Sequence, residues 1–112
     1  MRPEHGFKII YAPSVKGHLR AIERKYHSLI RGAIETRLRF EPDVETGNRK
    51  PLKRLDILAG AWEIRFGPGN RFRVFYEVDR KGGQVYILAI GEKRGNRLWV
   101  GGAEVESCEL YR

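Results

Sequence analysis

Apolar positions recur along this chain with a period that changes once. Phe7-Lys8-Ile9-Ile10-Tyr11 is a short β-branched and aromatic run closed by Pro13, which predicts a first strand ending in a break. After Ser14, a suitable N-cap, Val15, Leu19, Ile22 and Tyr26 return at helical spacing while Lys16, Arg20, Glu23, Arg24 and Lys25 fall elsewhere. This predicts an amphipathic helix with one buried stripe. From about Ser28, Ile30, Ala33, Ile34 and Leu38 continue the spacing until Phe40-Glu41-Pro42-Asp43 stops it, so a second helix completes a helical hairpin.

Asp43 to Asn48 is polar and turn-rich, and Arg49-Lys50-Pro51-Leu52-Lys53-Arg54-Leu55 reads as a basic connector docked by its leucines. After Gly60 the period becomes 2. Trp62, Ile64 and Phe66 share one face of a strand, and Glu63 and Arg65 the other. Gly67-Pro68-Gly69-Asn70 is a turn. In the next strand, Arg71 to Asp79, Phe72, Val74, Tyr76 and Val78 lie on one face, with Arg71, Arg73, Phe75 and Glu77 opposite. Gln84 to Gly91 is apolar on both faces, the pattern of a central strand with two covered sides. Leu98-Trp99-Val100 and Ala103-Glu104-Val105, joined by Gly101-Gly102, predict a small hairpin. The order is β-α-α-β-β-β with a possible carboxy-terminal hairpin. The fold class is therefore α+β: two amino-terminal helices packed on one face of a twisted, mainly antiparallel sheet.

Composition narrows the class. The chain has 112 residues, enough for one core, so residues 1–112 are read as a single domain. With 41% hydrophobic and 11% aromatic residues it is not a disordered basic tail. No apolar run approaches the ~20 residues of a membrane helix, and the amino terminus lacks a signal-like apolar region, which implies a cytoplasmic protein without a membrane partner. The lone Cys108 and the scattered His5, His18 and His27 show no zinc spacing, so neither a metal nor a cofactor is expected. The histidines are read as surface residues. The balance of 22 Lys+Arg against 14 Asp+Glu, a net +8, points to a polyanion such as nucleic acid.

If Phe66 faces Phe72 across a hairpin, Arg65 faces Arg73. Two like charges across a sheet cost a few tenths of a kcal/mol to about 1. Either Glu63 and Glu77 compensate them, or an anion such as an RNA phosphate sits between. Lys93, Arg94 and Arg97, followed by Trp99, form a second cationic cluster. It is either a solvated turn beside a hairpin-core tryptophan, or a single-strand site where phosphate is neutralised and a base stacks on the indole. Glu63 is a partner of Arg65 or a general base.

Taken in order, Arg49-Lys50-Pro51-Leu52-Lys53, Trp62-Glu63-Ile64-Arg65-Phe66, Arg71-Phe72-Arg73-Val74-Phe75-Tyr76-Glu77-Val78 and Ile87-Leu88-Ala89-Ile90-Gly91-Glu92-Lys93-Arg94 resemble successive signatures of the RelE/ParE superfamily of toxins from type II toxin-antitoxin systems, over about Phe7 to Trp99. The resemblance implies two helices on a twisted antiparallel sheet and a growth-inhibiting toxin neutralised by a cognate antitoxin, expected to be acidic. RelE-like members are metal-independent endoribonucleases that cut mRNA on the ribosome; ParE-like members inhibit DNA gyrase and cut no RNA. Resemblance to the RelE branch implies catalytic roles for Arg65, Arg73, Lys93 and Arg94 around the scissile phosphate, and RNA contacts from Lys50, Lys53, Arg71, Arg97 and Trp99. Trp99 stands where a tyrosine is expected and cannot exchange a proton. Glu63, Lys93 or Tyr111 remain for proton transfer. A basic RNA-binding module without catalysis is a third reading. On the nuclease reading, removing Arg73 is expected to abolish cleavage and leave the fold intact.

Overall fold

A computed structural model describes residues 6–52 and 60–105. Lys53, Arg54, Leu55, His5, Cys108 and Tyr111 lie outside the described residues. The elements are β1 (Lys8–Tyr11), α1 (Val15–Arg20), a 3-10 turn (Arg24–Tyr26), α2 (His27–Arg37), β2 (Arg49–Pro51), β3 (Trp62–Phe66), a 3-10 turn (Pro68–Asn70), β4 (Phe72–Asp79), β5 (Gln84–Arg94), β6 (Arg97–Val100) and β7 (Ala103–Val105). Strands β2 to β7 follow one another across an antiparallel sheet, and β1 joins it parallel to the first half of β5. The architecture is the α+β fold expected from the sequence, with its helices on one face.

The first helix is shorter than its periodicity predicts. It ends at Arg20, and Glu23 is extended at φ −51°, ψ 134°. Two local features explain the stop. Gly17 weakens an already short helix, and the ring N–H of His27 donates to the Ile22 carbonyl at 2.8 Å, replacing the helical partner that this carbonyl would otherwise have had. Ile22 and Tyr26 still reach the core, through the 3-10 turn rather than through a continuous helix. Ser14 occupies the N-cap position without a side-chain capping bond.

The predicted hairpin register is realised: Trp62 faces Tyr76, Ile64 faces Val74 and Phe66 faces Phe72. These residues, with Phe7, Ile30, Ile34, Leu38, Val85, Ile87 and Ile90, form the core between helices and sheet. A second, smaller cluster of Leu52, Ala61, Phe75 and Leu98 lies on the opposite face, which is why β5 is apolar on both sides. The β4–β5 ladder shifts register at Phe75/Tyr76, so Leu88 is an extra residue, a β-bulge that strengthens local twist.

Arg49-Lys50-Pro51 is a strand, not merely a connector. It pairs with β3 as the sheet's edge, where Pro51 needs no donor for a neighbour. The Arg49 guanidinium donates to the carbonyls of Arg37, at the end of α2, and Val44, each at 3.0 Å. Among the described residues, no helix is long and apolar enough to cross a membrane.

Candidate functional site

The site grows from two turns at one end of the sheet. Alternation along β3 and β4 sends Glu63, Arg65, Arg73 and Phe75 to the face away from the helices, and Arg65 stands directly across from Arg73. Their repulsion is answered from within the protein. Glu63, 0% exposed, accepts from Arg65 Nε at 2.9 Å and lies 3.8 Å from Arg73 Nη1. Of the two carboxylates considered from sequence, Glu63 alone takes this role; Glu77 is exposed farther along β4, across from Tyr86. Arg73 is itself 5% exposed, so its removal would leave Glu63 buried with less compensation. This overturns the expectation that Arg73 can be deleted without cost to the fold.

A second carboxylate does similar work on the helix side. Glu92, 2% exposed, faces Phe72 across the β4–β5 ladder. It accepts from Arg71 through both Nε and Nη2, and from Arg94 Nη2 at 3.0 Å. The hydrogen bond that it donates to Glu92 is the main reason the Arg71 guanidinium holds its proton still more tightly than usual. Arg71 also lies 4.9 Å from the Tyr26 ring centroid, and Arg94 lies 5.4 Å from that of Trp99.

Strand β5 runs on through Arg94, so Glu92, Lys93 and Arg94 belong to a strand and only Gly95-Asn96 forms the turn. This corrects the reading of the cluster as a solvated turn. Gly91 permits the close approach of β6: a Cβ there would meet Leu98 Cδ1 at 3.0 Å and the Trp99 carbonyl at 3.1 Å. At the end of the sheet, the β3–β4 and β5–β6 turns bound a cleft of about 420 Å³ lined by Pro68, Gly69, Arg71, Arg73, Lys93, Arg94 and Gly95. Residues from both faces converge there because the cleft sits past the last rungs of the ladder.

The cleft thus gathers three of the four residues expected to be catalytic, Arg73, Lys93 and Arg94, together with Arg71. Arg65 does not line it and joins it only through Glu63. Lys93 is exposed and makes no ion pair among the described residues, in contrast to the guanidinium groups around it. Trp99 pairs with Glu92, on the face opposite Lys93, and lies outside the cleft with Arg94 against its ring. Arg97 faces Arg94 across the turn and pairs with Glu104 at 3.4 Å. Lys50 is exposed on β2 across from Glu63, also outside the cleft.

Sequence reasoning missed Glu92 and Tyr26, the two groups that aim Arg71 and Arg94. A lone acid beside Lys93-Arg94 was the available signal. The histidine reading also needs correction: His18 and His27 are half-buried, and His18 Nδ1 accepts the Ile90 N–H at 3.2 Å, so both are structural. Burial lowers the His18 pKa, in keeping with its acceptor role. Among the described residues no group of three His, Cys, Asp or Glu is placed to hold a metal.

No protein-family profile matches this sequence, and no curated protein matches it either. Among solved structures, a chain of the RelBE2 toxin-antitoxin complex of Mycobacterium tuberculosis shares the fold, with a TM-score of 0.66 and 22% sequence identity. The match covers 79% of this chain and 99% of that one. At that identity the likeness is one of fold, and it agrees with the RelE-type α+β architecture expected above.

Proposed function

We propose that this chain is the toxin of a toxin-antitoxin pair and acts as a metal-independent endoribonuclease on mRNA at the ribosome, with an acidic antitoxin as its partner. The observation that carries the reading is the cleft in which Arg71, Arg73, Lys93 and Arg94 converge. Its described lining holds four cations and no carboxylate, a donor set that attracts phosphate and repels a divalent metal ion.

RNA cleavage without a metal uses the ribose 2′-hydroxyl as nucleophile on the adjacent phosphorus. The protein must orient that attack, neutralise charge gathering on the phosphoryl oxygens and deliver a proton to the leaving 5′-oxygen. Arg73 and Arg94 are held in place by Glu63 and Glu92, so their forks are preorganised for the phosphoryl oxygens. Glu63, fully buried between two arginines, is withdrawn from base chemistry. Tyr111 lies outside the described residues. Lys93 is therefore the cleft residue suited to proton delivery, its ammonium being both free of ion pairs among the described residues and able to give up a proton. Arg65 acts at one remove, by sharing Glu63 with Arg73. Lys50 and Arg97 serve, on this reading, as flanking contacts for the RNA backbone, with Trp99 positioning Arg94.

Primer extension on an mRNA in a reconstituted translation system, with and without ribosomes, tests the reading. Ribosome-dependent cuts are expected from the wild type, and Lys93→Ala should lower their rate by on the order of 10²-fold. Cuts of undiminished rate in a folded Lys93→Ala variant would refute the assignment. One observation favours a ParE-like toxin that inhibits DNA gyrase without cutting RNA: the described cleft contains no proton-transfer group other than Lys93. Blocked supercoiling by gyrase, with mRNA left intact, would select it. RNA binding with a steep salt dependence and no cleavage would select a non-catalytic module.

A further inference from the structure

Lys8 on β1, Lys16 on α1 and Lys81 in the β4–β5 turn are exposed, and none of them lines the cationic cleft. Lys93 is exposed as well, but it shares that cleft with Arg71, Arg73 and Arg94 and makes no ion pair among the described residues. Its amine therefore stands beside a donor set that suits a phosphate, with no carboxylate in the described lining to compete for either. The arginines keep donors to offer. Among the described residues Arg94 commits to Glu92 one of the five N–H donors that a guanidinium has.

A nucleophile next to a phosphate site selects a class of reagent. In an acyl phosphate, the mixed anhydride of a carboxylic acid with phosphoric acid, an electrophilic carbonyl carbon is joined through one oxygen to a phosphoryl group. Guanidinium groups that hold the phosphoryl end keep the carbonyl in the same cleft as the Lys93 nitrogen, whereas a lysine elsewhere on the surface meets the reagent only by collision. The cleft, at about 420 Å³, has room for a phosphate with a short acyl chain.

We propose that Lys93 is an acylation site, and that its reagent is a small acyl phosphate docked on Arg71, Arg73 and Arg94. The unprotonated amine attacks the carbonyl carbon and a C–N bond forms. The carbon–oxygen bond to phosphate breaks, inorganic phosphate leaves with the electron pair, and the surplus proton on nitrogen passes to water. The guanidinium groups hold the phosphate before this step and neutralise the charge it gains as it leaves. The product amide is uncharged, so the cleft loses one cation together with the group assigned above to proton delivery. The inference rests on the phosphate-binding part of the proposed function and not on RNA cleavage.

The test incubates the full chain with acetyl phosphate and follows each lysine by site-resolved mass spectrometry. Lys93 is expected to acetylate on the order of tenfold faster than Lys8, Lys16 and Lys81. Inorganic phosphate should slow Lys93 alone, and Arg94→Gln, at an exposed position, should reduce its lead several-fold. The acetyl ester of N-hydroxysuccinimide, which has no phosphate to dock, should label the four lysines at similar rates. Labelling of Lys93 no faster than the other three, an equal lead with the ester, or a lead that phosphate does not diminish would overturn the proposal, and all three are read on the wild type. Primer extension separates this site from the nuclease. Selective acetylation of a chain that cuts no mRNA sustains the Lys93 site and removes the nuclease, whereas mRNA cutting by a chain with unselective acetylation does the reverse. Where both hold, the acetylated protein should cut on the order of 10²-fold more slowly.

Discussion

Glu63 and Glu92 each hold two guanidinium groups, but Glu63 does so inside the sheet's second face while Glu92 does so at the rim of a cleft. Around Glu63, Arg73 is almost fully enclosed. Around Glu92, the side chains of Arg71 and Arg94 keep 32% and 53% of their exposure. Water therefore reaches the second centre through both guanidinium groups and the first only through Arg65, whose side chain is 31% exposed. The same ion-pair chemistry chiefly stabilises the sheet in one place, where Arg73 alone reaches the cleft, and leaves charge more widely available to a ligand in the other.

The largest expected effect lies at the enclosed centre. Glu63→Ala should destabilise the protein by about 3 to 5 kcal/mol, because it removes the buried carboxylate that compensates the Arg73 charge. Denaturant unfolding measures this, and Glu63→Leu combined with Arg73→Met should recover much of the loss. If the double variant were as unstable as the two single changes added together, the coupling claimed here would not exist. Glu92→Gln should cost less, about 1 to 3 kcal/mol, since Arg71 and Arg94 can turn to water. Its larger consequence should be looser phosphate binding, seen as weaker RNA affinity at constant salt. Equal destabilisation by Glu63→Ala and Glu92→Gln would erase the contrast.

A third measurement stands outside both centres. Burial lowers the His18 pKa from 6.5, so the folded chain resists a proton that the unfolded chain takes up readily. The stability tied to neutral His18 is complete above pH 6.5 and drains away as pH falls from there through the lowered value. The His18→Ala variant should show a flatter stability profile in that window; parallel profiles would reject the linkage. The smallest stability effect belongs to Lys93→Ala, within about 0.5 kcal/mol of wild type, because the side chain is exposed and makes no ion pair among the described residues. A drop in melting temperature of many degrees would show that Lys93 is bound into the structure after all.

Much of the scaffold was legible before any coordinates. The alternation of Trp62-Ile64-Phe66 against Phe72-Val74-Tyr76 put these side chains on one face, which a one-residue slip would have turned outward, but it left a two-residue slip open, and the structure supplies the register. The limits were equally physical. Ile22 and Tyr26 obey a helical period, yet a side chain, His27, takes the backbone group that would have continued the helix. Arg49-Lys50-Pro51 lacks every strand preference and becomes one only because β3 offers it an edge. At the site, the sequence placed Arg65 across from Arg73 but could not say which carboxylate would answer them. The convergence of Arg71, Arg73, Lys93 and Arg94 was illegible for another reason: alternation assigns them to different faces, and only the geometry of two turns brings them to one end.

Strand β1 is synthesised well before its partner in the sheet, the first half of β5. Ile9 must wait for Val85, and until that stretch exists its apolar run has an unsatisfied edge. Folding is thus gated by a late, long-range closure, and the half-made chain carries the exposed surface that chaperones bind and aggregates grow from. A message broken before the codon for Gln84 would yield no smaller version of this protein, only a sticky fragment destined for proteolysis.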